Sequence, residues 1–306
     1  MKRHLVIPTL AGALAFAVAP AMAQLISDDF EVDSSANYTI VDDSNGASGD
    51  GGADSTSQFA FDYIAAGIPL APNSDPGDTG GLRLTVNASE EGDEGPSSTE
   101  EDHITAFNNL SVSGSYRLDV DIYMGVDLLQ PGTTEFAHVG VAGGTSDFTS
   151  IFTPVVDNGH FMSMTGEGGS FSDYRHSVPG SPAVPNGDPS YLNSNNTVNA
   201  SDPFYQDLFP AASGTDSVGS PTNIWTTRTI TVGPEFVAYY LDGTKIIQTP
   251  VVEDSGLVSL GYTDPFDSVG PHFVIYDNLV VTMIPEPTTA VLGVSALVAL
   301  VSRRRR

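Results

Sequence analysis

Cysteine is absent from this chain of 306 residues. Without a thiol there can be no disulfide, no zinc–thiolate site and no cysteine nucleophile. Bases are scarce as well: 11 Lys and Arg stand against 38 Asp and Glu, a formal net charge of −27. Lys2, Arg3 and Arg303 to Arg306 occupy the extreme ends, so only Arg83, Arg117, Arg175, Arg228 and Lys245 lie between them. A field of that sign repels phosphate, which excludes nucleic acid and anionic lipid surfaces as natural partners. It draws cations, among which Ca²⁺ suits oxygen donors, and it also keeps an extracellular protein soluble. No apolar run reaches the roughly 20 residues a membrane-crossing helix needs. Three signatures of chemistry are missing too: the His-Glu-x-x-His zinc pattern, the Gly-x-Ser-x-Gly elbow and the Gly-x-x-x-x-Gly-Lys phosphate loop.

Both ends carry instructions. Lys2, Arg3 and His4 precede an apolar stretch from Leu5 to Ala19, followed by Ala21-Met22-Ala23. A basic start, a short apolar core and a small-x-small site make a secretory signal, with Gln24 the first mature residue. The chain closes on Pro285-Glu286-Pro287, a 14-residue apolar segment from Thr288 to Val301, then Arg303, Arg304, Arg305 and Arg306. That segment is short for a lasting anchor, and the arginines hold the cytoplasmic side.

This tail resembles the PEP-CTERM sorting tails of Gram-negative bacteria, in all three parts and in their order. The resemblance implies an exosortase-type membrane protease as partner after signal peptidase, and cleavage near the Pro-Glu-Pro motif. It further implies transient inner-membrane anchoring, then delivery to the cell surface or extracellular matrix. Three regions are therefore expected: a signal helix over 1–23, a body over 24–284, and a sorting tail with its short transmembrane helix over 285–306.

The body reads as all-β. Helical periodicity is hard to find, while short alternating runs recur between Gly, Pro, Asn and Asp clusters. In "SGSYRLDVDIYMG" (113–125), Tyr116, Leu118, Val120, Ile122 and Met124 share one face, and Arg117, Asp119 and Asp121 share the other. Period two predicts one buried and one wet face. Leu241-Asp242-Gly243-Thr244 lies between two such runs, and Asp-Gly marks a hairpin turn. Strands at this spacing in a domain of this size predict an antiparallel β-sandwich. A long insert around 157–223, rich in Gly, Ser, Pro and Asn, interrupts them. Its Tyr174, Tyr191, Phe204, Tyr205 and Phe209 either pin the loop down or hold a ligand.

Trp225, "TRTITV", "YYLDGTKI", "GLVSLGY" and the closing "FVIYDNLVV", with "SDDFEVD" (27–33) in front, resemble the concanavalin A-like, laminin G-like jelly rolls. The resemblance implies that fold and a frequent role in binding carbohydrate. It also implies a structural Ca²⁺ held by Asp29 or Glu31 together with Asp277. Sandwich glycosidases of this kind carry Glu-x-Asp-x-x-Glu on one strand, holding a pair of carboxylates on one face. Asp119-Val120-Asp121 comes nearest and lacks both glutamates, so no catalytic residue is assigned. The expectation is a non-catalytic exported protein that binds glycan or serves the exopolysaccharide matrix. The competing class is a polysaccharide hydrolase or lyase whose carboxylates come from separate loops.

Overall fold

Alternating side chains leave β-structure as the way to bury half of each segment, and the computed structural model is built from it. It describes residues 23–42, 55–88, 102–130, 134–145, 159–167, 173–177, 182–196, 198–210, 218–265 and 269–285. Ala21, Glu286, Pro287 and Arg303 to Arg306 lie outside the described residues. The strands are β1 (Gln24–Asp28), β2 (Tyr38–Asp42), β3 (Thr56–Gln58), β4 (Leu82–Thr85), β5 (Asp102–Asn108), β6 (Val112–Ser113), β7 (Tyr116–Gly125) and β8 (Phe136–Gly143). They continue with β9 (His160–Thr165), β10 (Tyr174–His176), β11 (Val184–Pro185), β12 (Trp225–Val232), β13 (Phe236–Leu241), β14 (Thr244–Pro250), β15 (Ser255–Asp264) and β16 (Phe273–Met283). One short helix, α1 (Pro203–Leu208), precedes β12.

These strands form two antiparallel sheets. The first runs β14-β13-β12-β7-β16-β4-β3, with β1 on β16; the second runs β11-β10-β9-β8-β15-β5-β2, with β6 on β15. Their inner faces share one core. Leu118, Val120, Ile122 and Met124 of β7 belong to the same apolar cluster as Val139, Val141, Met162, Met164, Leu260 and Tyr262. The two-sheet antiparallel sandwich expected from the alternation is thus present, and Ala23–Ile284 forms one compact unit. The Asp-Gly hairpin is there as well: Asp242 (φ 47°) and Gly243 (φ 76°) turn β13 into β14 in the left-handed conformations that such two-residue turns require.

The 157–223 stretch joins the sandwich through its described residues. β9, β10 and β11 complete the edge of the second sheet, while Tyr174, Tyr191, Tyr205 and Phe209 enter the main core. Tyr174 and Tyr205 stack with ring centroids 4.3 Å apart. These rings hold the stretch to the body, and their burial leaves no face for a ligand.

Two features depart from a simple in–out pattern. Arg228 points inward from β12, fully enclosed between the sheets, and donates from Nη1 to the Ala137 carbonyl at 2.8 Å. Burial pushes its guanidinium down to about 10. The second sheet is also buried on its outer side, where Phe107, Phe136 and Phe161 form a separate cluster. His138 lies there too, 0 % exposed and close to Thr105 Oγ1 at 3.1 Å.

Candidate functional site

The outer face of the first sheet carries the richest chemistry, and strand register explains why. Asp277 of β16 pairs with Asp121 of β7, which pairs with Thr227 of β12. Two residues along, Arg83 of β4 pairs with Ile275, Ile275 with Tyr123, and Tyr123 with Trp225. A polar row therefore lies beside a row ending in an arginine at one side and the only tryptophan at the other.

Loop 59–81, which joins β3 to β4, lies over both rows. Asn73 donates from its backbone N–H and its Nδ2 to the two oxygens of Asp121, at 3.0 and 2.8 Å. Thr227 Oγ1 and Asn278 Nδ2 complete the Asp121 shell at 2.7 and 3.1 Å. Tyr63 OH and Ser74 Oγ both donate to Asp277 Oδ2 at 2.9 Å, and the Asn278 amide donates to Oδ1 at 2.7 Å. Trp225 Nε1 donates to the Pro69 carbonyl at 2.6 Å. At the far end Glu31 Oε1 accepts the amides of Thr79 and Gly80 at 2.8 and 2.6 Å.

Sequence alternation placed Asp121 on a wet face. The structure corrects this: Asp121 is 0 % and Asp277 1 % exposed, because the loop roofs the strand. Asp119, one pleat away, stays partly exposed and pairs with Arg117 at 2.6 Å. Burial, opposed by hydrogen bonds from Ser74, Tyr63 and Asn278 and reinforced by neighbouring Asp121, raises Asp277 to about 7. Burial likewise lifts the Tyr63 hydroxyl to about 12.

Beside this clamp lies a partly exposed aromatic patch. The Arg83 guanidinium sits over the rings of Phe273, 4.8 Å from the centroid, and Phe61, at 5.1 Å. Phe273 stacks on Tyr123 at 6.3 Å, and Trp225 meets Tyr123 at 5.5 Å and Tyr63 at 5.2 Å. Gly125 makes room for this: a Cβ there would lie 2.2 Å from the Phe273 ring. Phe61, Arg83, Trp225 and Phe273 remain partly open to solvent, and Ile64 and Leu70 of the covering loop are exposed. A concavity of about 420 Å³ is lined by Leu25 to Asp28, Ala36, Asn37 and Asn108 to Leu110. Its one charged group, Asp28, is held by Tyr38 OH at 2.9 Å and the Phe30 amide at 3.0 Å.

The expected site residues are dispersed. Ala23 and Gln24 open β1, where the Ala23 carbonyl accepts from the Met283 amide at 2.9 Å. Pro285 is the last described residue before the tail. Asp29 is exposed and accepts the Glu31 amide at 3.2 Å. Glu31 holds two loop amides, and Asp277 faces Asp121 instead of either. A Ca²⁺ cage needs several oxygen acceptors turned inward; here hydroxyl and amide donors already meet Glu31 and Asp277. The residues therefore do not fit a shared calcium site. Among the described residues no group of three or more His, Asp or Glu comes together to hold a metal ion. The clamp and the Arg83 patch escaped the sequence reading because each depends on register between strands far apart in the chain.

No family model matches the chain, and no curated protein matches it. Several solved structures share a likeness of architecture. A cellulose-induced protein, Cip1, is 12% identical, with 84% of this chain and 96% of that chain covered and a TM-score of 0.44. A Bacillus subtilis protein with a galectin-like fold is 11% identical, with 85% and 96% covered and a TM-score of 0.43. The carbohydrate recognition domain of Emp46p, in its metal-free form, is 9% identical, with 83% and 93% covered and a TM-score of 0.41.

Proposed function

We propose that this is an exported, non-catalytic glycan-binding protein of the cell surface or extracellular matrix. In this reading a PEP-CTERM-type tail routes it, and the face around Trp225 binds the glycan. The observation that carries the binding role is the partly exposed patch of Phe61, Arg83, Trp225 and Phe273 on the outer face of the first sheet. Aromatic faces pack against the C–H face of a sugar ring, and a few fixed polar groups at the rim orient it. The rings are held by mutual stacking and by Gly125, so little order is lost on binding. The routing role rests on the order of motif, apolar segment and arginines in the last 22 residues.

The hydrolase reading needs a carboxylate pair open to substrate. Asp121 and Asp277 are a pair, yet loop 59–81 covers them and donors occupy their oxygens. That arrangement suits a clamp for the loop.

The test is a glycan array probed with the exported chain, in calcium and in chelator. We expect binding to a defined set of glycans, unchanged by chelator and weakened by Trp225→Ala. Absence of binding by a folded protein would remove this reading and favour a matrix spacer.

A further inference from the structure

Arg83 stands apart from every other strong base of the body. Arg117 is paired with Asp119, Arg228 is enclosed between the sheets and Arg175 is buried, and Lys245 donates to Gln248 Oε1 at 2.9 Å. Arg83 instead rests on two phenylalanine rings, partly open to solvent. Its Nε is buried and meets no hydrogen-bond partner. Among the described residues no carboxylate pairs with it, and desolvation alone moves its pKa, downward. In a chain of net charge −27, a cation kept clear of that excess of acid is an arrangement that calls for a reason.

The reason is not stability of the sheet. A guanidinium packed against aromatic rings gains some cation–π energy, but its buried Nε–H goes unpaired, and an aliphatic residue would pack there without that cost. Held planar against rings, however, the guanidinium keeps its fork of N–H donors pre-oriented, the geometry that matches a carboxylate two-to-two. The partly exposed Trp225 lies in the same row of the sheet, three strands away, and the buried Tyr123 between them packs against both Trp225 and Phe273.

We infer that Arg83 is the acid-reading residue of the glycan site, and that the ligand is a carboxylate-bearing sugar of the uronic acid class. This inference rests on the glycan-binding reading and narrows it. The uronate carboxylate takes the Arg83 fork, while the sugar ring lies against the open side of Phe273 and extends toward Trp225. The general acidity of the protein opposes long acidic polymers at low salt. At physiological ionic strength that repulsion fades beyond ~8 Å, whereas the direct contact persists. Affinity for an acidic glycan should therefore rise as salt is first added and fall only at high salt.

The experiment uses the full chain, with Trp225 fluorescence as readout, and four probes: polygalacturonate, its fully methyl-esterified form, dextran and dextran sulfate. We expect polygalacturonate to bind and its ester to bind on the order of tenfold or more weakly, as loss of a charge-assisted contact requires. Arg83→Gln should abolish that preference, and Arg83→Lys, which keeps charge without the fork, should restore only part of it. Unchanged thermal unfolding of Arg83→Lys guards against a folding artefact. Equal binding of acid and ester overturns the inference, as does dextran sulfate bound as tightly as polygalacturonate, since either shows no reading of a planar carboxylate. Binding to neutral dextran alone also overturns it while leaving the glycan-binding function standing. Failure of every probe here and of every glycan on the array overturns both.

Discussion

Asp121 and Asp277 face each other on neighbouring strands, both enclosed, and both hold loop 59–81 with neutral donors only. Burial disfavours the ionised form of Asp277, and the neighbouring Asp121 adds a smaller push in the same direction. The Asp277 carboxyl should titrate near pH 7, against its ordinary 3.8. Carboxyl ¹³C NMR measures this directly, and a midpoint near 4 would sink the claim.

The sign of the coupling to stability follows. A raised folded-state pKa means that the native protein holds a proton which the unfolded chain releases. Asp277's contribution is full below about pH 4 and is lost as pH rises through about 7. Within that window it amounts to at most ~1.4 kcal/mol per pH unit. The difference in urea stability between wild type and Asp277→Asn should follow this slope and level off above the midpoint.

Asp121→Asn tests the clamp itself. An amide offers one acceptor oxygen where four donors now converge on a charged carboxylate, so at least one of them loses its partner. We expect a loss of about 2 kcal/mol, faster amide exchange at Asn73, and a red shift of Trp225 emission as the Pro69 contact loosens. Unchanged exchange at Asn73 would show that the loop is held some other way.

Gly261 of β15 should tolerate no side chain. A Cβ there would lie 1.8 Å from His138 Nε2 and 2.7 Å from Thr105 Oγ1, and both groups are enclosed on the second sheet. Gly261→Ala should cost about 3 kcal/mol. Gly140→Ala meets only the mobile hydroxyl of Ser259 first, at 2.3 Å, and should cost less. Thermal unfolding of the pair decides, and equal losses would refute the assignment to His138.

Arg228 separates charge from volume. Among the described residues its guanidinium meets no carboxylate, and it donates to the carbonyls of Ala137 and Met162 and to the Met124 sulfur. Arg228→Met keeps the volume and should be neutral or stabilising. Arg228→Ala leaves a cavity and should cost about 3 kcal/mol. Denaturant titration of both variants checks the contrast; a large loss in the methionine variant would mean that the charge is needed.

Much of the sandwich was legible in local pattern. The alternation around Tyr116 to Met124 named the inward face of β7 correctly, and Asp242-Gly243 named its hairpin. Both signals are local, so neighbours in sequence carry them. The fate of Asp121 was not legible, since its burial comes from a loop some fifty positions earlier laid across the strand. For the same reason the Arg83 patch was invisible: Phe61, Arg83, Tyr123, Trp225 and Phe273 meet only through the order of strands. His138 lies on β8, and nothing in the sequence announces how closely it approaches Gly261. The hydroxyl and amide donors that meet Glu31 and Asp277 come from a distant loop, so the sequence does not announce them.

The pairing of β1 with β16 has a mechanical meaning. Gln24 sits opposite Thr282, and Asp28 opposite Leu279, so the first strand lies alongside the last with the body's two ends at one corner. A force drawing those ends apart would open the pair from that corner one hydrogen bond at a time, like a seam pulled from its loose end. Tension applied through the end of β16 and the Arg83 face would instead run along β16, across its ladders with β7 and β4, where many bonds share the load. The same fold should thus peel easily between its two ends and resist firmly between the end of β16 and the Arg83 face.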